Sequence, residues 1–169
     1  MKSEELRALQ APLKEKYKSN PNAAMITLKA EGKIGEGLSC KIETGKALVA
    51  AGLHPATGGT GMMACSGDML LEALVACAGV TLSAIATALG IEIEDSLIKA
   101  EGDLDFRGTL GVSKEALVGF QAIRLSIDLK TGASQEQQES LKKLTERYCV
   151  VYQTLIKGTP VNVSYNYQS

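Results

Sequence analysis

The sequence predicts an α+β protein in which antiparallel sheets pack around a long apolar helix. Three observations carry this prediction: a composition of 45% apolar and 22% charged residues over 169 positions, short runs of alternating apolar and polar residues, and a continuously apolar segment, 69–89. No repeat or linker divides the chain. We therefore expect a single domain over residues 1–169, with residues 1–21 as an N-terminal helical extension.

The N-terminal part predicts one helix followed by strands. Ser3 to Lys18 has helical composition and places three leucines on one face, and Asn20-Pro21 ends it. The alternation that follows predicts antiparallel strands with one buried face and Gly-rich turns between them. The strands are expected around Ile26–Ala30 and Leu38–Ile42, and the turns at Gly32–Gly37 and Thr44–Gly45.

The segment MLLEALVACAGVTLSAIATAL, from Met69 to Leu89, predicts the central helix. Its length would span a bilayer, but Glu72, the many alanines and the absence of basic flanks favour a soluble helix that is buried on nearly all sides. We expect Ser66 to be its N-cap and Asp68 to lie in its first turn. Small residues on this helix would let a second element approach closely: Ala73, Ala76, Ala84 and Ala88.

Beyond Gly90 the pattern predicts further strands and one amphipathic helix. Ser134 and Gln137 form a capping-box signal, and Gly158 ends the helix that begins there. That helix should present Leu141, Leu144, Tyr148, Val151 and Leu155 on one side. The expected strands open at Ile91 and Ile93, include Leu104 and Phe106, span Phe120–Lys130, and return at Val161–Tyr167.

Composition argues against several classes of function. A net charge of −1 and the absence of Trp give no basis for binding nucleic acid or an anionic membrane. One histidine and no C-x-x-C make a metal site improbable, and the Gly-rich loop from Gly52 to Gly67 matches neither a P-loop nor a dinucleotide pattern, so we expect no cofactor. The charged residues throughout Met1 to Pro21 exclude a signal peptide there and favour the cytoplasm.

The cysteines are the remaining candidates for chemistry. Cys40 is expected to be a core thiol on its strand, and His54 a loop or pocket-lining residue. Cys77, in the central helix, and Cys149, in the amphipathic helix, could both be small core hydrophobes. In the middle of a helix a cysteine gains nothing from its own helix N-terminus, so a reactive Cys77 needs a charged neighbour supplied by the fold.

Two sequence contexts raise the weight of a redox function. The segment GDMLLEALVACAGV, which contains Cys77, is followed about seventy residues later by ERYCVV, which contains Cys149. Together they resemble the OsmC/Ohr family of osmotically induced and organic hydroperoxide resistance proteins. In that family a helix of the type P-x-E-L-L-x-A-A-x-x-x-C carries the peroxidatic cysteine, and a second cysteine lies in a Y-C-P context. The resemblance covers most of residues 24–167.

This resemblance implies an OsmC-like fold, an intertwined homodimer and a thiol-dependent peroxidase. Cys77 would attack an organic hydroperoxide, Cys149 would form a disulfide with it, and an external thiol or dithiol would reduce that bond. Asp68 would correspond to the helix-start carboxylate of the family. The apolar surroundings favour organic hydroperoxides over hydrogen peroxide.

The chain also departs from the family pattern. Ser66 stands where the family has a proline before the helix, and Val150 replaces the proline that follows the second cysteine. Arg7 is the only arginine before Arg107, so the arginine that one branch carries on an early strand has no counterpart. Cys65 is either a bystander or a third redox thiol. The alternative function is a non-catalytic binding protein that holds a small apolar ligand near Cys77, His54 and the Gly-rich loop.

Overall fold

The computed structural model describes residues 2–20, 31–34, 39–43, 48–111 and 113–167. The elements, in chain order, are helix α1 (Ser3–Ser19), strands β1 (Glu31–Ile34), β2 (Ser39–Glu43) and β3 (Leu48–Gly52), a short 3₁₀ helix (Pro55–Thr57), strand β4 (Ala64–Cys65), helix α2 (Ser66–Leu89), strand β5 (Asp95–Leu104), helix α3 (Phe106–Thr109), strand β6 (Phe120–Lys130), and helices α4 (Gln135–Tyr148) and α5 (Val150–Lys157).

The strands form two separate sheets in the described part of the chain. The first has the order β1-β2-β3-β4, in which β1, β2 and β3 are antiparallel neighbours and β4 pairs in parallel with β3. The second is the long antiparallel pair β5-β6, whose register shifts between Asp103 and Leu104. The predicted α+β class is therefore confirmed.

One stripe of α2 forms the core together with α4 and the inner face of the second sheet. Leu74, Ala78, Leu82 and Ala86 follow each other at four-residue spacing and are buried. Leu82 and Ala86 pack with Ile91 and Leu141, and the apolar residues of β5 and β6 pack against that cluster. At Gly79 an added Cβ would lie 3.2 Å from the Ile98 side chain, so a glycine there lets β5 approach the helix closely.

The prediction that α2 is buried on nearly all sides is wrong for the single chain. The four residues of the core stripe are buried, whereas Val80 is 73% exposed and the small residues Ala73, Ala76, Ala84 and Ala88 are exposed as well. Among the described residues, α2 is the one helix long and apolar enough to cross a membrane, a test of length and composition that core helices of soluble proteins also pass. An apolar sequence predicts that a helix is covered, but it does not indicate whether the same chain or a partner covers a given face.

The start of α2 differs from the expected cap. Cys65 is the N-cap, with an extended backbone and no side-chain capping bond, and Ser66 is the first helical residue. The reason is that Cys65 pairs with Gly52 in β4, so the strand continues to the very start of the helix. Asp68 does lie in the first turn, as predicted.

Several other element boundaries also differ from the sequence prediction. Ile91 and Ile93 precede β5 rather than open it, because the Ile91 amide donates to the Ala86 carbonyl in the C-terminal turn of α2. At the other end of β5 the Asp105 carboxylate caps α3, which takes Phe106 out of the strand. The turn expected from Gly32 is strand through Ile34, and residues 161–167 are exposed and form no strand within the chain.

Other predictions hold or lie outside the described residues. The first helix, the strand Phe120–Lys130 and the capping box of Ser134 and Gln137 are confirmed. The strand expected at Leu38–Ile42 corresponds to β2. The strand expected at 26–30, the turn at 44–45 and the side chain of Cys40 fall outside what the structure describes.

Candidate active site between helices α2 and α5

The predicted amphipathic helix is two helices, and Cys149 is the residue between them. Cys149 has an extended backbone, with φ −70° and ψ 107°, and serves as C-cap of α4 and N-cap of α5. Its amide donates to the Thr145 carbonyl and its own carbonyl accepts from the Gln153 amide, so both helices fix its position. The side chain is buried, at 1% relative exposure.

The N-terminus of α5 points at Cys77. Burial raises the pKa of Cys77, but hydrogen bonding from the backbone amides of Val151 and Val150, the first residues of α5, lowers it. The first amides of any helix lack acceptors within that helix, and they carry the positive end of its dipole. Cys77, which comes from the middle of α2, thus supplies an acceptor where α5 has unpaired donors.

Two side chains complete the surroundings of the Cys77 sulfur. Hydrogen bonding from the Cys149 thiol and the Thr81 hydroxyl also lowers the pKa of Cys77. Burial raises the pKa of Cys77, but the hydrogen bonds from Val151, Cys149, Val150 and Thr81 together outweigh burial and hold that pKa below its usual range. The site therefore favours the Cys77 thiolate.

Cys149 is shifted in the opposite direction. Burial raises the pKa of Cys149, and the hydrogen bond to Cys77 and the negative charge of the Cys77 thiolate raise it further, against the opposing amides of Tyr152 and Val151. The pKa of Cys77 thus lies below that of Cys149, so Cys77 is the thiol of the pair that ionises first. Both are free cysteines.

The expectation that a charged neighbour activates Cys77 is not met among the described residues. The groups that lower the pKa of Cys77 are two backbone amides, a thiol and a hydroxyl, all of them neutral. The N-terminal amides of α5 lower the pKa of Cys77, a role that the sequence analysis assigned to a charged side chain. Sequence reasoning missed this because it treated α4 and α5 as one continuous helix.

Asp68 lies apart from the thiol pair. It is exposed in the first turn of α2, and nine residues of helix separate it from Cys77, a rise of about 13 Å along the axis. Its role as an activator of Cys77 stays a prediction.

The other residues singled out by the sequence also lie away from the pair. Cys65 is partly buried at the N-cap of α2, about 18 Å along the helix axis from Cys77. His54 is a loop residue, as expected: its Nδ1 accepts a hydrogen bond from the Ala56 amide, and its ring stacks on Phe106 with the centroids 4.9 Å apart. Within the described part of the chain, no three His, Cys, Asp or Glu side chains form a group that could hold a metal ion.

A cavity of about 1000 Å³, lined in part by Cys149, lies between α2, β6, α4 and α5. Its walls are mainly apolar, and Gln138, Lys142 and Glu146 add polar groups. His54, Cys77 and the Gly-rich loop, which were expected to line the ligand pocket, are not part of its walls. The apolar residues of β6 that line the cavity occupy alternate positions, and this alternation is visible in the sequence at Ile123, Leu125, Ile127 and Leu129.

Sequence analysis also missed Thr81 and the amides of Val150 and Val151. Thr81 follows Cys77 by four residues, and side chains at this spacing are neighbours on a helix, so the spacing alone could have indicated it. No side-chain pattern identifies a backbone amide as a donor. That information lies in the break between α4 and α5.

The fold and the site define a class of α+β proteins in which a cysteine on a long central helix meets a second cysteine at the start of a later helix. The family model described as OsmC-like protein matches residues 59–164. The chain belongs to this family. No curated protein matches the sequence.

Solved structures agree with the fold. An OsmC-like protein from Mycoplasma pneumoniae superposes with a TM-score of 0.65 at 17% identity, covering 78% of this chain and 88% of that one. An OsmC-like protein of unknown function from Vibrio cholerae gives 0.61 at 13% identity, with 77% and 94% covered. An organic hydroperoxide resistance protein OsmC from Legionella pneumophila gives 0.60 at 19% identity, with 78% and 90% covered. At these identities the similarity shows an OsmC-like fold.

Proposed function

We propose that the protein is a thiol-dependent peroxidase that reduces organic hydroperoxides and so contributes to defence against oxidative stress. The observation that carries this proposal is the thiol pair, in which hydrogen bonding from two N-terminal amides of α5 and from the Cys149 thiol lowers the pKa of Cys77 against the effect of burial. A thiolate is the nucleophile that attacks peroxides, and a neighbouring thiol is what resolves the product.

The first step oxidises Cys77 and reduces the peroxide. The Cys77 thiolate attacks the distal oxygen of a hydroperoxide ROOH, the S–O bond forms as the O–O bond breaks, and the alkoxide takes a proton to leave as the alcohol ROH. Cys77 is then a sulfenic acid. The residues whose amides act on Cys77, Val150 and Val151, are apolar, which favours organic hydroperoxides over hydrogen peroxide.

The second step joins the two cysteines, and the third restores them. The Cys149 sulfur attacks the Cys77 sulfenic acid, the S–S bond forms, and the hydroxyl leaves as water with the proton of the Cys149 thiol. An external dithiol then reduces the Cys77–Cys149 disulfide by exchange and becomes a disulfide itself. In a reducing compartment such as the cytoplasm the pair starts each cycle as two thiols.

The test is peroxide consumption with dithiothreitol as reductant. Cys77→Ser should abolish the consumption of cumene hydroperoxide because the serine hydroxyl is not ionised at neutral pH and is a poor nucleophile. The matched control Cys65→Ser should retain nearly all of it, since Cys65 lies far from the pair. Wild type should consume cumene hydroperoxide faster than hydrogen peroxide. Retained turnover in Cys77→Ser would contradict the proposal.

The alternative function is binding of a small apolar ligand without catalysis. The observation that favours it is the cavity of about 1000 Å³ between α2, β6, α4 and α5, which has apolar walls and a volume in the range of small-molecule sites. A wild-type protein that stays fully reduced in excess peroxide but binds an apolar fluorescent probe, and releases it in a Leu125→Gln variant of the cavity wall, would support this function instead.

A further inference from the structure

The two cysteines of the pair differ in their relation to the cavity between α2, β6, α4 and α5. Cys149 forms part of the cavity wall, whereas Cys77 does not. Helix α2 contributes Leu74, Ala78 and Leu82 to the same wall, at four-residue spacing. Because successive residues of a helix are turned by about 100° around its axis, Cys77 is directed away from the stripe that contains Ala78. The cavity therefore lies beside Cys149 and the helix stripe next to Cys77, but it does not extend to Cys77 itself.

Cys149 lies in the buried part of this cavity. Of the residues in the wall, Leu74, Leu141 and Cys149 are each 1% exposed. The polar residues Lys142 and Glu146 are exposed and therefore lie at the open rim. A thiol on the surface of a folded protein cannot pass this rim to Cys149. A slender molecule with an apolar body can, because a volume of about 1000 Å³ with mainly apolar walls is typical of small-molecule sites.

The chemistry of disulfide exchange favours attack on the same cysteine. The rate of exchange depends on which sulfur the attacking thiolate can approach, and it rises as the pKa of the leaving thiol falls. Attack on Cys149 expels Cys77, whose pKa is lowered, whereas attack on Cys77 would expel Cys149, whose pKa is raised. Access through the cavity and the quality of the leaving group thus agree.

We propose that the external reductant reaches the Cys77–Cys149 disulfide through this cavity and attacks Cys149, and that it is a small thiol compound with an apolar body. Its thiolate forms an S–S bond with Cys149 while the Cys149–Cys77 bond breaks, and Cys77 leaves as a thiolate. A second reductant thiol then attacks the reductant sulfur of this mixed disulfide, and its proton passes to the departing Cys149. The inference deepens the proposed function and rests on it, because it names the partner of the last step.

The first test identifies the attacked cysteine in the wild-type protein. The disulfide is formed with diamide, so that no peroxide is needed, and the oxidised protein is mixed rapidly with benzyl mercaptan, an apolar monothiol. The mixture is quenched in excess N-ethylmaleimide and analysed by peptide-resolved mass spectrometry. We expect the benzyl group on Cys149 and the maleimide on Cys77. The reverse pattern would overturn the inference, and so would a pair of cysteines that diamide does not join.

The second test compares two variants of β6. Leu125 lies in the cavity wall, and the adjacent Ser126 is exposed on the opposite face of the strand. Leu125→Trp should narrow the cavity and slow the reaction of the disulfide with benzyl mercaptan about tenfold or more, since exchange depends on access. The control Ser126→Trp should react at the wild-type rate. Thermal unfolding checks that each variant is folded, and Leu125→Phe replaces Leu125→Trp should the latter fail to fold. A wild-type rate in the folded Leu125 variant would overturn the inference.

The size of the reductant provides a third comparison. A reduced thioredoxin carries its thiols on a folded domain, so it should reduce the disulfide more slowly than benzyl mercaptan at equal concentration. A faster reaction with thioredoxin would overturn the inference.

Failure of this inference can be distinguished from failure of the proposed function. Attack at Cys149 in a protein whose wild type consumes no peroxide would support the inference and refute the proposed function. Attack at Cys77 in an active peroxidase would refute the inference and leave the proposed function intact.

Discussion

At the scale of single residues, the chemistry of the site depends on an asymmetry between two thiols of the same kind. Cys77 accepts hydrogen bonds from neutral donors, which holds its pKa low, whereas Cys149 is buried and donates to Cys77, which holds its pKa high. In the proposed cycle Cys77 would therefore attack first, and Cys149 would remain protonated until the disulfide forms. Removing each one should interrupt a different step.

Cys149→Ser tests the order of these steps. The first stoichiometric reaction with peroxide should persist, because the amides of Val150 and Val151 still donate to Cys77. The Cys77–Cys149 disulfide cannot form, so turnover with a dithiol should fall and excess peroxide should carry Cys77 to sulfinic acid. Intact-mass spectrometry after a peroxide titration distinguishes these species. A Cys149→Ser protein that never forms the Cys77 sulfenic acid would mean that the order is wrong.

The contribution of Cys149 to the pKa of Cys77 gives this variant a pH signature too. Loss of the thiol hydrogen bond should raise the pKa of Cys77 somewhat, so the first oxidation of Cys149→Ser should slow most at acidic pH and approach the wild-type rate at alkaline pH, where both proteins are thiolate. Stopped-flow measurement of the single-turnover rate across pH reads this difference. A single-turnover rate that falls by the same factor at every pH would instead indicate that Cys77 is no longer correctly oriented for attack.

At the scale of elements, the break between α4 and α5 positions the donors. The chain turns at Cys149 with an extended backbone, and the first amides of α5 then face Cys77. Val150 stands where the resembling family has proline. A proline at this place would lack the amide that here donates to the Cys77 sulfur.

Val150→Pro therefore isolates one backbone donor. Proline is well tolerated as the first residue of a helix, and the extended backbone of Cys149, with ψ 107°, suits a residue that precedes proline. The fold should be retained, with a free energy of unfolding within about 1 kcal/mol of wild type. The pKa of Cys77 should rise, seen as slower alkylation near neutral pH.

Val150→Ala is the control for this substitution because it removes the side chain and keeps the amide. It should alkylate at Cys77 with the wild-type pH profile. If Val150→Pro also keeps that profile, the Val150 amide does not contribute to the Cys77 thiolate, and the amide of Val151 is the relevant donor.

Elements were predictable from the sequence where local chemistry decides them. The capping box of Ser134 and Gln137 starts α4 as expected, and the alternation of β6 gives its bounds at Phe120 and Lys130. The prediction failed where another part of the chain intervenes. Pairing of β4 with β3 carries Cys65 to the N-cap of α2, and no pattern within residues 64–68 reports that pairing.

The candidate site was predictable in its residues but not in its electrostatics. The contexts of Cys77 and Cys149 indicated a redox pair, and the fold brings the two together across about seventy residues of chain. The source of the low pKa of Cys77 was not predictable, because it lies largely in backbone amides at the break between α4 and α5. Asp68, which the family resemblance suggested as an activator, lies about 13 Å along α2 from the thiol.

At the scale of the whole molecule, one apolar face of α2 is exposed in the single chain. The core stripe of this helix is covered by α4 and β5, but Ala73, Ala76, Val80 and Ala84, at spacings of three and four residues, share another face and are exposed. Large apolar side chains of the segment 161–167 are exposed as well, with Val161 at 83% and Tyr167 at 91%. Apolar surface exposed on this scale is typical of interaction sites.

We expect a homodimer in which this face of α2 is buried against the partner subunit. Small residues let two helices approach closely, and an obligate interface that includes a whole helix face should bury more than about 2000 Å².

Val80→Asp places a charge in the middle of the face, where its desolvation would oppose association. Sedimentation velocity at micromolar concentration should show a dimer for wild type and a monomer of lower thermal stability for Val80→Asp. Val118→Asp, at a valine with nearly the same exposure, 74% against 73%, is the control and should remain dimeric. A wild-type protein that sediments as a stable, folded monomer would contradict the prediction, and the exposed face of α2 would then have to be covered by something other than a second copy of this chain.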